Sequence, residues 1–140
     1  MKIDLNLSDR ALRKRIAEIE AKLPGEIDVA LAQTAYYGSN LMADRSKEGR
    51  GLLGAFKPYT PKYAIFRRDH GRGNVVDLNY TGQMWSSLTT FKRRGYAEIK
   101  FSNALANRKA YFNNQRRPFF GFREAEKVKL LEFMKKRLFE

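Results

Sequence analysis

The stretch from residue 74 to residue 101 constrains this chain most. Lys92-Arg93-Arg94-Gly95 interrupts a strand-like run, and Gly95 supplies the positive φ that a tight reversal needs. In the second arm Ala97, Ile99 and Phe101 share one face, while Tyr96, Glu98 and Lys100 share the other. The pattern predicts a β-hairpin with one buried side. Just upstream, Val76, Leu78 and Tyr80 alternate with Asp77 and Asn79, which predicts a further half-buried strand. Thr81 then offers a capping hydroxyl, Gly82 a sharp bend, and Met84, Trp85 and Leu88 one side of a short helical turn. The predicted core is therefore Met84, Trp85, Leu88, Leu78, Ile99 and Phe101, with the single tryptophan as the largest apolar burial available.

Helical patterns flank this sheet. Residues 2–7 alternate as a short strand, Ser8 is a good N-cap, and Leu12, Ile16, Ile19 and Leu23 make one apolar stripe that ends at Pro24-Gly25. A second helix starts near Glu26-Ile27 and runs through Leu31, Ala35, Gly38, Leu41 and Met42. Its small residues make it thin enough for a close approach, and the two helices are expected to pair antiparallel. Lys47 to Gly54, with three glycines, is expected to be a mobile loop. Thr60-Pro61 can cap and start a short helix, PKYAIFRR, and residues 69–74 form a glycine-rich tip. A helix is expected over 102–115, followed by RRPFFGF, which is too rich in Pro and Gly for a regular element. The last helix should bury Val128, Leu131 and Met134 or Leu138. The fold class expected is α+β: a small antiparallel sheet with a hairpin, packed by an N-terminal helical pair and C-terminal helices, in a single domain over 1–140.

Charge narrows the partners. Lys and Arg number 28 against 15 Asp and Glu, a formal net charge of +13. Such an excess repels itself in the compact state and points to an acidic partner. It is concentrated in residues 45–72, eight basic against two acidic, and in residues 92–123, nine against Glu98 alone. No apolar run approaches the ~18 residues of a membrane span, and the first residues do not read as a secretory signal. The chain has no cysteine and one histidine, His70, so no disulfide, thiolate metal site or histidine triad can be built from it.

Two kinds of chemistry have candidate residues. Asp77 with Glu98 and Lys100 follows the spacing style of D…ExK magnesium nucleases. The alternative is that Glu98 and Lys100 are simply the solvent side of the hairpin arm. Basic residues mixed with aromatics, above all Lys92, Arg93, Arg94, Arg67 and Arg68, are candidates for DNA phosphate contact without base reading. The alternative is a positive face docked on an acidic protein. Arg117, Phe119, Phe120 and Phe122, with Leu52, Leu53 and Phe56, are candidate subunit or partner contacts. No catalytic residue, metal or cofactor is expected.

The order Gly54-x-Phe56-x-Pro58-Tyr59-Thr60, then Asp77, Thr81-Gly82-x-Met84-x-x-Ser87-Leu88, then Ala110-Tyr111 and Arg117-Pro118-Phe119-Phe120-Gly121-Phe122 resembles tailed-phage virion morphogenesis proteins. These include the Mu-type tail completion group and related neck proteins, and the resemblance spans about residues 10–135. It implies a structural, non-catalytic part of the virion, built in the host cytoplasm. Such a part forms a homo-oligomeric ring at the head–tail junction, between connector and tail proteins and around the DNA path. The basic loops at 45–57 and 67–75 would then order on assembly, with the hairpin tip facing lumen or neighbour. Read without the resemblance, the chain is a freestanding basic nucleic-acid-binding protein or, more remotely, the nuclease.

Overall fold

The computed structural model describes residues 1–4, 9–73, 75–79 and 82–140. In chain order they form β1 (Lys2–Asp4), α1 (Arg10–Lys22), α2 (Glu26–Lys47), β2 (Arg50–Gly51), β3 (Gly54–Ala55), α3 (Pro61–Asp69), α4 (Gln83–Ser86), β4 (Leu88–Lys92), β5 (Tyr96–Phe101), α5 (Ala104–Arg116) and α6 (Glu124–Phe139). The protein is α+β. A three-stranded antiparallel sheet has the order β1-β5-β4, and β2 and β3 form a separate two-stranded hairpin. Among the described residues no helix is long and apolar enough to cross a membrane. The chain divides into two compact units, and the boundary at residues 40 and 41 falls inside α2. One unit comprises residues 1–40, 89–100 and 122–140, the other residues 41–88 and 101–121.

In the first unit the hairpin forms as its sequence dictates. Gly95 turns at φ 79°, and Ala97 and Ile99 on the inner face of β5 are fully buried. Strand β1 adds to β5 with Ile3 opposite Ala97. The rest of the predicted strand at 2–7, and Ser8, lie outside the described residues. The cap of α1 is instead Asp9, whose carboxylate accepts from the Leu12 amide and meets Lys135 Nζ at 2.7 Å. That lysine, with the Leu12 amide, holds the Asp9 carboxyl below its usual range.

Helix α1 packs chiefly on α6, not on α2 as the short join suggested. Arg15 Nε donates to the Leu138 carbonyl, so the N-terminal half of α1 is tied twice to the C-terminal end of α6. The buried stripe of α6 is Glu126, Leu130, Met134 and Leu138, a strict four-residue spacing; Val128 is exposed and Leu131 only half-buried. Helix α6 starts where Glu126 accepts from the Arg123 amide. The expected close approach at Gly38 is real. A Cβ there would lie 2.8 Å from the Phe122 ring and 3.1 Å from Leu130, so Phe122 packs on bare backbone.

The second unit has its own core: Phe56, Val76, Leu78, Met84, Trp85, Phe101, Ala106, Ala110 and Phe119, with Tyr59, Leu88 and Phe120 packed against it. Of the six predicted core residues, five thus cluster here and Ile99 belongs to the first unit. No strand forms at 76–79. Leu78 adopts φ 56°, a conformation costly for a γ-branched side chain. The cause is local: the Asp77 carboxylate accepts from the Asn79 amide at 3.0 Å and curls the chain. Trp85 Nε1 then donates to the Asp77 carbonyl, and Arg67 to the Asn79 carbonyl. Side chains serve the peptide groups that a ladder would otherwise have served. Tyr80 and Thr81 lie outside the described residues, while Gly82 makes the expected bend at φ 81° and opens α4.

The segment at Lys47 to Gly54, expected as a mobile loop, is the β2–β3 hairpin. Buried Arg45 donates to the carbonyls of Arg50, Phe119 and Gly121, and the Leu52 amide donates to the Pro118 carbonyl at 2.8 Å. Gly51 lets this happen, because a Cβ there would stand 2.4 Å from both the Phe56 ring and the Pro118 carbonyl. One arginine thus fastens the hairpin to the RRPFFGF segment.

Candidate functional site

Thr60 caps α3 by accepting from the Tyr63 amide, with Pro61 in the first turn. That start fixes the phase of the helix, and Thr60, Tyr63 and Arg67, three and four residues apart, share one face. Asn103 caps α5 through two amides, which puts Lys109, Asn113 and Arg116 on one face in the same way. These two faces, with Gly82 to Met84 of the α4 turn and the curled Leu78-Asn79, enclose a cavity of about 480 Å3 within the second unit. Tyr59 and Arg117 complete its wall.

Four cations line it and, among the described residues, no carboxylate does. Arg67 is 2% exposed and forms its floor. It pairs with Asp77 Oδ1 at 3.2 Å and donates to the Gly73 and Asn79 carbonyls. The Tyr59 ring carries two guanidinium groups, Arg67 at 4.9 Å and Arg117 at 5.0 Å. Arg117 is held in turn by the carbonyls of Lys57 and Pro58, and Lys109 Nζ by the Gln83 side-chain oxygen at 2.7 Å. The second unit carries twelve basic side chains against four acidic ones, a net of +8 of the chain's +13, so the cavity sits where the charge is densest.

Burial pushes the Tyr59 phenol above its ordinary value of 10.0, against the pull of Arg67, which favours the phenolate. A raised folded value means that the native state holds this proton more tightly than the unfolded chain. Its contribution to stability is therefore complete below pH about 10 and is lost as the pH rises through the folded value. An ultraviolet difference titration should show one of the seven tyrosines ionising late, and Tyr59→Phe should remove that late step. A late step that survives in the variant would refute the assignment.

The other candidates scatter. Arg67 is no DNA contact, because it is buried and paired as above. Arg68 is exposed beside Asp69. Lys92, Arg93 and Arg94 stand at the hairpin tip of the first unit, where Gly95 N–H donates to Asp28 and Arg93 lies 5.1 Å from the Phe91 ring. Phe119 and Phe56 are core, Phe120 is half-buried against it, and Phe122 fills the Gly38 groove, so these four are not a free aromatic anchor. Leu52 is half-buried against Gly121, whereas Leu53, at the hairpin tip, is 88% exposed. Asp77 is engaged by Arg67, and Glu98 by Arg93 and Lys100 at 3.8 and 3.7 Å, in different units. Among the described residues no three His, Cys, Asp or Glu side chains gather as metal ligands.

Sequence reasoning missed Arg45 and Asn114. Asn114 Oδ1 accepts from the amides of both Phe119 and Phe120 and so decides which phenylalanine turns inward. The residue order predicts a helix over 102–115, but nothing in it says where the Asn114 carboxamide will point. Comparison with family models, curated proteins and solved structures finds no match to this chain.

Proposed function

We infer that this chain is a structural subunit of a tailed-phage head–tail junction, a neck or tail completion protein that closes into a ring around the DNA path. The observation that carries this reading is the apolar surface of the second unit. Leu53 projects from the β2–β3 tip, Tyr63, Ile65 and Phe66 from α3, and Leu105, Tyr111 and Phe112 from α5. Contiguous exposed apolar surface marks interaction sites, and these side chains are the ones on which sister subunits would pack. A ring needs two different patches on one protomer that are complementary to each other, and a projecting hairpin with two exposed helix faces provides material for both. The two segments most specific to the resemblance also support it. Met84-Trp85 and Phe119-Phe120 share one core, with the Trp85 and Phe119 rings edge-on at 5.5 Å.

Native mass spectrometry and class averages of negatively stained particles test the reading. A closed ring is expected, either alone or on mixing with a purified head connector, and Leu53→Asp should abolish it without unfolding the chain. A monomer at every concentration that also ignores the connector would overturn it. The concentration of charge in the second unit favours a second reading, a freestanding nucleic-acid-binding protein. That protein would stay small and shift generic duplex DNA with a steep salt dependence.

A further inference from the structure

We propose that the cavity enclosed by α3, α4 and α5 is a phosphoryl-binding site, with Lys109, Arg116 and Arg117 as the groups that hold the anion. Its volume lies within the ~300–1,000 Å3 of small-ligand pockets, larger than one phosphate requires and suited to a diphosphoryl group or a nucleotide. Arg67 already has Asp77 as counter-ion. No described carboxylate pairs with the other three cations: Lys109 meets an amide oxygen and Arg117 two carbonyls, which hold these groups without neutralising them. Three like charges converging on one concavity repel each other, and an entering anion reverses the sign of that energy.

The site is also organised in advance. Arg117 lies over the Tyr59 ring, whose position is set by buried Arg67, so its guanidinium is placed before any ligand arrives. The Thr60 hydroxyl and the Tyr63 phenol add donors at the rim. Donors without acidic acceptors, around room for several oxygens, select a phosphoryl group over a neutral ligand. The proposal is independent of ring assembly, since a monomer carries the same cavity. The phosphoryl group can come from a free phosphate ester or from a nucleic-acid backbone.

Calorimetric titration of the full chain with inorganic pyrophosphate at fixed ionic strength tests this. Saturable one-to-one binding is expected. K109Q combined with R116Q should weaken it about tenfold or more, as the loss of charge-assisted contacts implies. Both side chains are exposed, so the fold should survive, which the unfolding temperature checks. K92Q combined with R94Q removes the same charge outside the cavity and should change the affinity less than about twofold. Absence of saturation, or equal weakening by both pairs, overturns the proposal. Two further arms identify the source. Displacement of pyrophosphate by random duplex DNA, sensitive to the same cavity variants, assigns the site to backbone phosphate. Tighter binding of a nucleoside diphosphate, with DNA unable to compete, assigns it to a small phosphate ester.

Discussion

Phe119→Ala should cost about 3–5 kcal/mol, the range for deleting a fully buried aromatic ring, against a total stability of ~5–15 kcal/mol for a chain of this size. The ring is wholly inaccessible and sits edge-on to Trp85, with the Phe120 ring 6.2 Å away. Relaxation cannot close the gap cheaply. The backbone of this segment is fixed by Asn114, which accepts from the 119 and 120 amides, and by Arg45, which takes the 119 and 121 carbonyls. A held backbone keeps its cavity. Phe122→Ala provides the contrast. It is only half-buried and empties a groove over Gly38, so a smaller loss is expected, with the change confined to the first unit. Urea unfolding followed by Trp85 fluorescence measures both. Equal costs for the two would refute the placement of Phe119 as the central ring.

The hairpin at 88–101 and helix α3 were legible because local rules and tertiary needs coincide there. Period-two burial and a positive-φ glycine leave one outcome for the first, and Thr60-Pro61 fixes the start of the second. Residues 76–79 show the same alternation yet form a loop. Alternation reports which side chains go inward, not which partner takes the backbone amides. Here the Asp77 carboxylate takes the Asn79 amide, while the Trp85 indole and Arg67 donate to the Asp77 and Asn79 carbonyls. Arg45 and Arg67 were unreadable for a related reason. A charged residue is surface by default, and burial of these two is offset only by partners gathered in folding: the carbonyls of Arg50, Phe119 and Gly121 for Arg45, and Asp77 with the carbonyls of Gly73 and Asn79 for Arg67. The cavity was half legible. Lys109, Asn113 and Arg116 are visibly one helix face, but nothing in the order of residues says that α3 supplies the opposite wall.

Asp77→Ala should be the most damaging charge change in the chain. It strands the Arg67 guanidinium, 2% exposed, without its counter-ion, and it removes the acceptor that curls the chain at Asn79. Breaking a buried pair from one side costs about 3–5 kcal/mol because the remaining charge is neither solvated nor matched. Arg67→Leu should cost less. Asp77 keeps 27% of its side-chain surface in water and can be hydrated, so the loss is confined to the donors that Gly73 and Asn79 give up. The double variant should therefore be more stable than Asp77→Ala alone, an outcome that simple additivity forbids. If the two single effects add to within about 0.5 kcal/mol, the pair is not coupled and the loop at 73–79 is held by something else. The same variants reach the cavity, since Arg67 forms its floor and steadies Tyr59, on which Arg117 rests. Arg67→Leu should thus leave the fold standing while it loosens Arg117 and weakens pyrophosphate binding, which separates the placement of the cations from their mere number.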